Sequence, residues 1–441
     1  MNVIVIESMI VLGVLAGVAL WCALVYWDRR FSVSFHHLVV LTITVGIICR
    51  IAFALFTPTF YAPDERPHFR YITYLHEQRS FPVQTSKTDA PTQDWEYYQP
   101  PLYYLVSVPV YELAHGVFHS SDDGAVRAIR LLSVALWCIS VVMALRILDA
   151  LQVDDIFLRS VTISLVCLLP TSIFMSSVIN NDNLLVALGS IILYRIVKTG
   201  SRRGSFWIGT LIGLALWVKL TAVIYIVAIV ALCMVQWLYK SRSFSSAITY
   251  SVSTVAIAGV IWSPWAVRNL RLYGDWSGEQ LVNIPVQWPS IFHAVATTLS
   301  YMIASFWSVS GLGNNVGFLP FVGMGLTLLA LIGFAYGAFS RSKLFCDFFI
   351  GDKRDLWMAF LIAVAADILL VVRFGLLYGQ GQGRFLFPLL IPISVLMAMG
   401  FKSLGLTGRF PKAHLHATGF LGLYALSFTA FSLGLFTLVQ R

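Results

Sequence analysis

The sequence predicts an all-α integral membrane protein, one bundle of about twelve transmembrane helices. Three observations carry that prediction. Of the 441 residues only 12% are charged and 58% are hydrophobic, against about 25% charged in an ordinary soluble domain. The apolar residues are gathered into runs of about 17–25, the length of a membrane-crossing helix. The basic residues behind the formal charge of +9 are parcelled into short connections, as cytoplasmic loops are, and form no nucleic-acid footprint. No stretch is long and polar enough for a separate soluble module, so 1–441 reads as one polytopic domain.

Taken in order, the runs fall near 3–27, 37–57, 125–148, 156–178, 181–198, 205–239, 246–266, 317–340, 355–377, 384–403 and 416–438. The opening run lacks the basic n-region and small-residue cleavage site of a signal peptide and reads as a retained first span. The run 205–239 has 35 residues; as one helix it would stretch roughly 53 Å, nearly double the hydrocarbon core. Lys219 lies near its middle, so the run splits into two short passes that turn at "KLT", which makes twelve crossings.

The basic loops are "WDRR" (27–30), "KTGSRRG" (198–204), "KSR" (240–242), the cluster in 341–354 and "KSLGLTGRFPK" (402–412). They share one side only under three conditions: 205–239 is a hairpin, 292–309 does not cross, and 102–118 lies on the surface or re-enters. Both termini are then outside. The acidic "DALQVDD" (149–155) departs from the pattern. The six cysteines match neither a zinc site nor a disulfide framework and read as buried soft hydrophobes.

This topology sends every chemically promising cluster outward: Asp64/Glu65, "QPPLYY" (99–104), "NND" (180–182), Lys219, "RNLRLYGDW" (268–276) and "GQGQGRF" (379–385). A large outward loop, 58–124, and a second, 267–316, then contribute to one external site.

Asp64 and Glu65 read as acids at the start of a helix beginning near Pro67, or as a general base flanked by Arg66 and Arg70. On that helix both share a face with His68. Asp64, Glu65 and His68 would also be an incomplete set of divalent-metal ligands. "DWEYYQPPLYYL" (94–105), with Tyr98, Gln99 and Tyr103, suits an interfacial aromatic belt and a sugar-stacking platform equally. Lys219 reads as a snorkelling lysine or as a cation beside a phosphate. Arg384, on the flexible glycine backbone of "YGQGQGRF", suits phosphate oxygens, a tight turn being the alternative. Arg268 lies outside against the positive-inside bias, which points to an anionic partner. Arg50, Asp367 and Arg373 lie in or near spans and read as helix-holding ion pairs, Asp367 with Arg373 or Arg50 with a carboxylate.

In this order "PDERPHFRYITYLHE", "QPPLYYL", "NNDNLLVALGSIILY", "GLALWVKLTAVIY", "WAVRNLRLYGDW", "SFWSVSGLGN" and "QGRFLFPLLIP" resemble the pattern of GT-C-fold glycosyltransferases. The likeness is greatest to bacterial relatives of the protein mannosyltransferase and aminoarabinose transferase (family 39-like) group, and it covers nearly the whole chain. The resemblance implies a GT-C-like bundle with external juxtamembrane helices in the first large outward loop. It implies Asp64 as catalytic base, with Glu65 supporting it or binding a metal, and Arg384, Lys219 and Arg268 as holders of the donor phosphate. His68, Arg70, Tyr98, Gln99, Tyr103 and Asp182 are then expected to support them or meet the acceptor.

The implied activity is inverting transfer of a sugar from a polyprenyl-phosphate-linked donor to a lipid or glycan acceptor. It implies no nucleic acid and leaves a divalent metal open as cofactor. The expected place is the bacterial inner membrane, with the site on the periplasmic side. In the family the loop follows the first span; here it follows the second, so it faces outward only if the N-terminus does too. A polysaccharide polymerase or ligase using the same class of donor stays open as an alternative. So does a polytopic lipid-glycan transporter or flippase, for which polarity on both faces is expected.

Overall fold

A computed structural model describes all residues except 1, 32, 86–93, 118, 200–203, 240–241, 282–284, 311–313, 316–318, 406–411 and 440–441. The protein is a multi-pass membrane protein. Among the described residues nine helical stretches are long and apolar enough to cross a bilayer. They include α1 (Asn2–Phe31), α2 (Phe35–Phe56), α5 (Asp122–Ala150), α10 (Val223–Leu238), α11 (Phe244–Tyr273), α13 (Leu319–Phe339), α15 (Arg354–Tyr378), α16 (Leu390–Ser403) and α17 (Ala413–Val439).

Three further helices of the bundle are shorter or interrupted. One is α6 (Ile156–Leu168), which stops where Pro170 starts α7 (Pro170–Met175). The others are α8 (Asp182–Thr199) and α9 (Ser205–Leu216). Polar caps set several boundaries: Ser34, Asp155 and Ser243 each accept a hydrogen bond from the first turn of the helix they precede. The only strands described are a two-residue ladder, Val309–Ser310 against Asn314–Asn315.

The 35-residue run breaks at "KLT". α9 ends at Leu216, Lys219 is extended (φ −162°, ψ 142°), and a 3-10 turn leads into α10. Backbone N–H and C=O groups freed inside a bilayer must find partners or line a cavity. Trp217 O accepts from Leu102 N at 3.0 Å, which docks the break against α4 (Leu102–Glu112). With 11 residues, about 17 Å long, α4 is too short to cross; it packs beside α3 (Glu65–Gln78).

α12 (Ile291–Trp307) packs against α13 and α15. Just ahead of it Trp288 Nε1 donates to Leu376 O, and near its C-terminus Ser305 Oγ accepts from Gly383 N. One end therefore docks on the last turn of α15 and the other on the connection after it. The glycines of "GQGQGRF" make that docking possible. A Cβ at Gly381 would come within 2.5 Å of the Thr298 side chain, and one at Gly383 within 2.3 Å of both Met302 O and Phe306 N. The glycine backbone read from the sequence as flexible is packed at two positions: Gly381 and Gly383 are a packing surface for α12. Gly383→Ala is expected to lower the unfolding midpoint in detergent by several degrees, since overpacking against rigid backbone costs about 1–3 kcal/mol. An unchanged midpoint would show that α12 does not press on this segment.

The expected intramembrane ion pairs do not form. Arg50 has no carboxylate partner among the described residues. It donates to Ser176 Oγ (2.7 Å), Cys167 O (2.7 Å) and Gly46 O (3.1 Å), with its guanidinium 3.7 Å from the Trp137 ring centroid. Neutral acceptors and a ring face thus satisfy a buried cation, stapling α2 to α6 and α7. Asp367, on α15, is buried with Oδ2 unpartnered, and no ion pair joins it to Arg373.

Candidate functional site

The two carboxylates at the start of α3 point to different places. Glu65 is fully buried and its oxygens are taken by four donors. These are Arg130 Nε (2.8 Å) and Nη2 (2.6 Å), Ile179 N (3.1 Å) and Phe60 N (3.1 Å). Arg130, on α5, also donates to Thr57 O (2.7 Å) and Pro58 O (3.0 Å). The pair therefore ties α2, α3, α5 and the segment after α7 together. Glu65 is a structural anchor, with no free oxygen for a ligand or a metal.

Asp64 sits in the left-handed region (φ 60°, ψ 5°), which Asp tolerates better than most residues. The turn aims its side chain, 34% exposed, into a cavity of about 750 Å³. Arg384 Nη2 donates to Asp64 Oδ2 at 3.1 Å. Burial alone would raise the Asp64 carboxyl, but the positive charges of Arg384 and Lys219 outweigh it and hold the pKa below its ordinary value. Asp64 is therefore ionised at neutral pH.

Arg384 is nearly buried, and its Nε has no partner. Lys219, at the helix break, donates to Asp182 Oδ1 at 2.5 Å. The Phe385 ring lies under both cations, 5.3 Å from Lys219 Nζ and 5.5 Å from Arg384 Cζ, and helps fix their place. The cavity is lined by Asp64, Lys219 and Arg384 at one end and by Trp262 and Trp265 of α11, with Leu370 and Phe374 of α15, along its wall. Arg373 also lines it.

The remaining expected residues divide. Tyr98 and Gln99 line the cavity and bond to each other (Gln99 Nε2 to Tyr98 Oη, 2.9 Å). His68 is buried behind them, its Nδ1 2.9 Å from Tyr104 Oη, and burial drives its pKa down to about 3, so it is neutral. Tyr103 is fully buried, edge-on to Tyr104, and does not line the cavity; it supports the wall. Arg70 is exposed on α3 and also lies outside the cavity lining.

Arg268 does not line the cavity either. It stacks on Trp265 (4.4 Å) and donates to Pro82 O and Asn269 Oδ1, so it fastens the first loop to α11. A phosphate role for Arg268 has no geometric support. Of the three expected metal ligands, Glu65 is saturated by Arg130 and the backbone, and His68 Nδ1 is engaged with Tyr104. Among the described residues no group of three or more His, Cys, Asp or Glu side chains is arranged to hold a metal. The donor set does not fit one.

Sequence reasoning missed Arg130, Phe385 and Glu96. The first carried a signal: an arginine inside the apolar run 125–148 must find a partner.

No family model matches the chain, and no curated protein matches it. Its fold is similar to the crystal structure of ArnT from Cupriavidus metallidurans bound to undecaprenyl phosphate. The two are 14% identical, with 91% of this chain and 78% of that chain covered and a TM-score of 0.55. The same enzyme in the apo state matches at 14% identity over 90% and 77%, with a TM-score of 0.43. At this identity the first likeness speaks for the fold, and it bears out the expected GT-C-like bundle.

Proposed function

We propose that the protein is an inverting glycosyltransferase. It takes a sugar from a polyprenyl-phosphate-linked donor and passes it to an acceptor at the outer face of the membrane, the periplasmic face of a bacterial inner membrane. The observation that carries this reading is the Asp64–Arg384 pair on the wall of a 750 Å³ cavity bounded by membrane helices. It puts a carboxylate and a guanidinium in one site. The likeness in fold to a protein solved with undecaprenyl phosphate supports the choice of donor.

A lipid-linked donor needs a site reached sideways from the bilayer, and α10, α11 and α15 wall this one. Arg384 and Lys219 hold the phosphate. Charge-compensated phosphate is a good leaving group, so no general acid is required. As the acceptor oxygen attacks the anomeric carbon, Asp64 takes its proton. The bond from that carbon to the phosphate oxygen breaks, polyprenyl phosphate departs, and the single displacement inverts the anomeric centre.

The test is release of polyprenyl phosphate by purified protein from a panel of polyprenyl-phosphate sugars, with and without EDTA. Wild type is expected to release it in both arms. Arg384→Ala is expected to weaken donor binding about ten- to hundredfold, the loss of a charged hydrogen bond. Saturable flux of substrate in proteoliposomes without release from any donor would overturn the reading in favour of transport. Release coupled to transfer of a whole glycan would make the protein a polymerase or ligase. Loss of release in EDTA would assign a metal to the reaction.

A further inference from the structure

The cavity holds a second carboxyl for which the mechanism above has no use. Glu96, in the loop before Pro100, lines the cavity and is 8% exposed. Its Oε2 has no hydrogen-bond partner. The nearest ring nitrogen, His68 Nδ1, is 3.9 Å away, beyond hydrogen-bond reach. The charged and titratable groups that act on Glu96 come from every side. Asp64 approaches from the turn before α3, Asp182 from α8, Lys219 from the break before α10, and Arg384 from the segment before α16. Tyr98 and Tyr104 complete the surroundings, both held un-ionised by burial.

An ionised Glu96 here would be a second carboxylate beside Asp64, with one oxygen unmatched in a nearly dry place. That is costly. As the neutral acid it carries one O–H donor, and none of the described residues lies within hydrogen-bond reach of Oε2. Burial, reinforced by the charge of Asp64, pushes the Glu96 pKa up to about 8. Asp64 is driven the opposite way, so the cavity contains one carboxylate and one carboxylic acid at neutral pH.

Resting on the function proposed above, we propose that Glu96 binds the donor phosphate: its carboxylic acid donates a hydrogen bond to a phosphoryl oxygen already held by Arg384 and Lys219. Glu96, Lys219 and Arg384 line one cavity, so an anion held there by the two cations shares it with Glu96. A hydroxyl-bearing ligand alone would not select the acid form, because a carboxylate accepts from hydroxyls at least as well. A phosphate does select it, having acceptors to offer and a charge that repels the ionised form. No proton is transferred; the contact is a hydrogen bond present in both donor and product.

The test uses undecaprenyl phosphate as probe, with affinity measured from pH 7 to 9.5, above the second phosphate ionisation at about 6. Wild type is expected to bind at pH 7 and to lose about tenfold in affinity as Glu96 ionises. Glu96→Gln keeps an N–H donor and has no charge to gain, so it is expected to bind comparably at pH 7 and to hold that affinity across the range. Glu96→Ala, neutral without a donor, is expected to bind several-fold more weakly at pH 7 and equally flatly. An alkaline loss that persists in both variants, or a wild type flat with pH, would overturn the inference while leaving the proposed function standing. A wild type that binds no undecaprenyl phosphate at any pH would overturn both.

Discussion

Asp64→Asn is expected to cut sugar transfer by about a hundred- to ten-thousandfold, the range for loss of a positioned general base, while polyprenyl phosphate binds at least as tightly as in wild type. Asparagine tolerates the left-handed backbone (φ 60°) as well as aspartate does, so the turn that aims the side chain should persist. The amide cannot take the acceptor's proton. It also ceases to hold Arg384 by charge, and the guanidinium that now faces Asp64 Oδ2 at 3.1 Å becomes free for phosphate. Two measurements decide the matter: release of polyprenyl phosphate under turnover, and equilibrium binding of the same lipid. Wild-type turnover in the variant would remove Asp64 from the chemistry. Lost binding with proportionate loss of turnover would make it a binding group instead of a base.

The second large effect concerns folding. Arg130→Met leaves the Glu65 carboxylate fully buried without its partner, and breaking a buried pair in this way costs about 3–5 kcal/mol. Folded protein recovered in detergent should fall sharply, with a lower unfolding midpoint for what remains. The double variant Glu65→Leu with Arg130→Met removes both charges and should recover part of the loss, though Phe60 N and Ile179 N then lose an acceptor. Full stability of Arg130→Met alone would show that Glu65 is neutral or reached by water. The same variant separates the two acids of the motif: Asp64 belongs to the cavity, Glu65 to the frame that presents it.

Much of the bundle was legible because span length and charge are local properties. The break at Lys219 followed from one lysine inside a run too long for one crossing. The site was legible as a set of clusters sharing one side, and Asp64, Lys219, Asp182 and Arg384 do come together. What local pattern could not supply was partnership. Arg384 meets Asp64 across 320 positions and Arg130 meets Glu65 across 65, separations that no periodicity records. For the same reason Arg50 and Asp367 were given partners they do not have, since neutral acceptors and empty cavity leave no charge signal. Glu96 was hidden among aromatics because an acid in a polar loop looks solvated until burial is known.

The pairing of Arg384 with Asp64 and of Lys219 with Asp182 bears on how a catalytic cycle ends. On the proposed reaction the donor is a phosphodiester with one negative charge, and the lipid left behind is a monoester carrying close to two. Bare cations would grip that spent carrier more firmly than the fresh one, and each turnover would poison the next. Here every additional charge on the lipid must compete with a carboxylate already in place. The resting ion pairs therefore act as built-in competitors that favour ejection of the used carrier and keep the enzyme open to a new one.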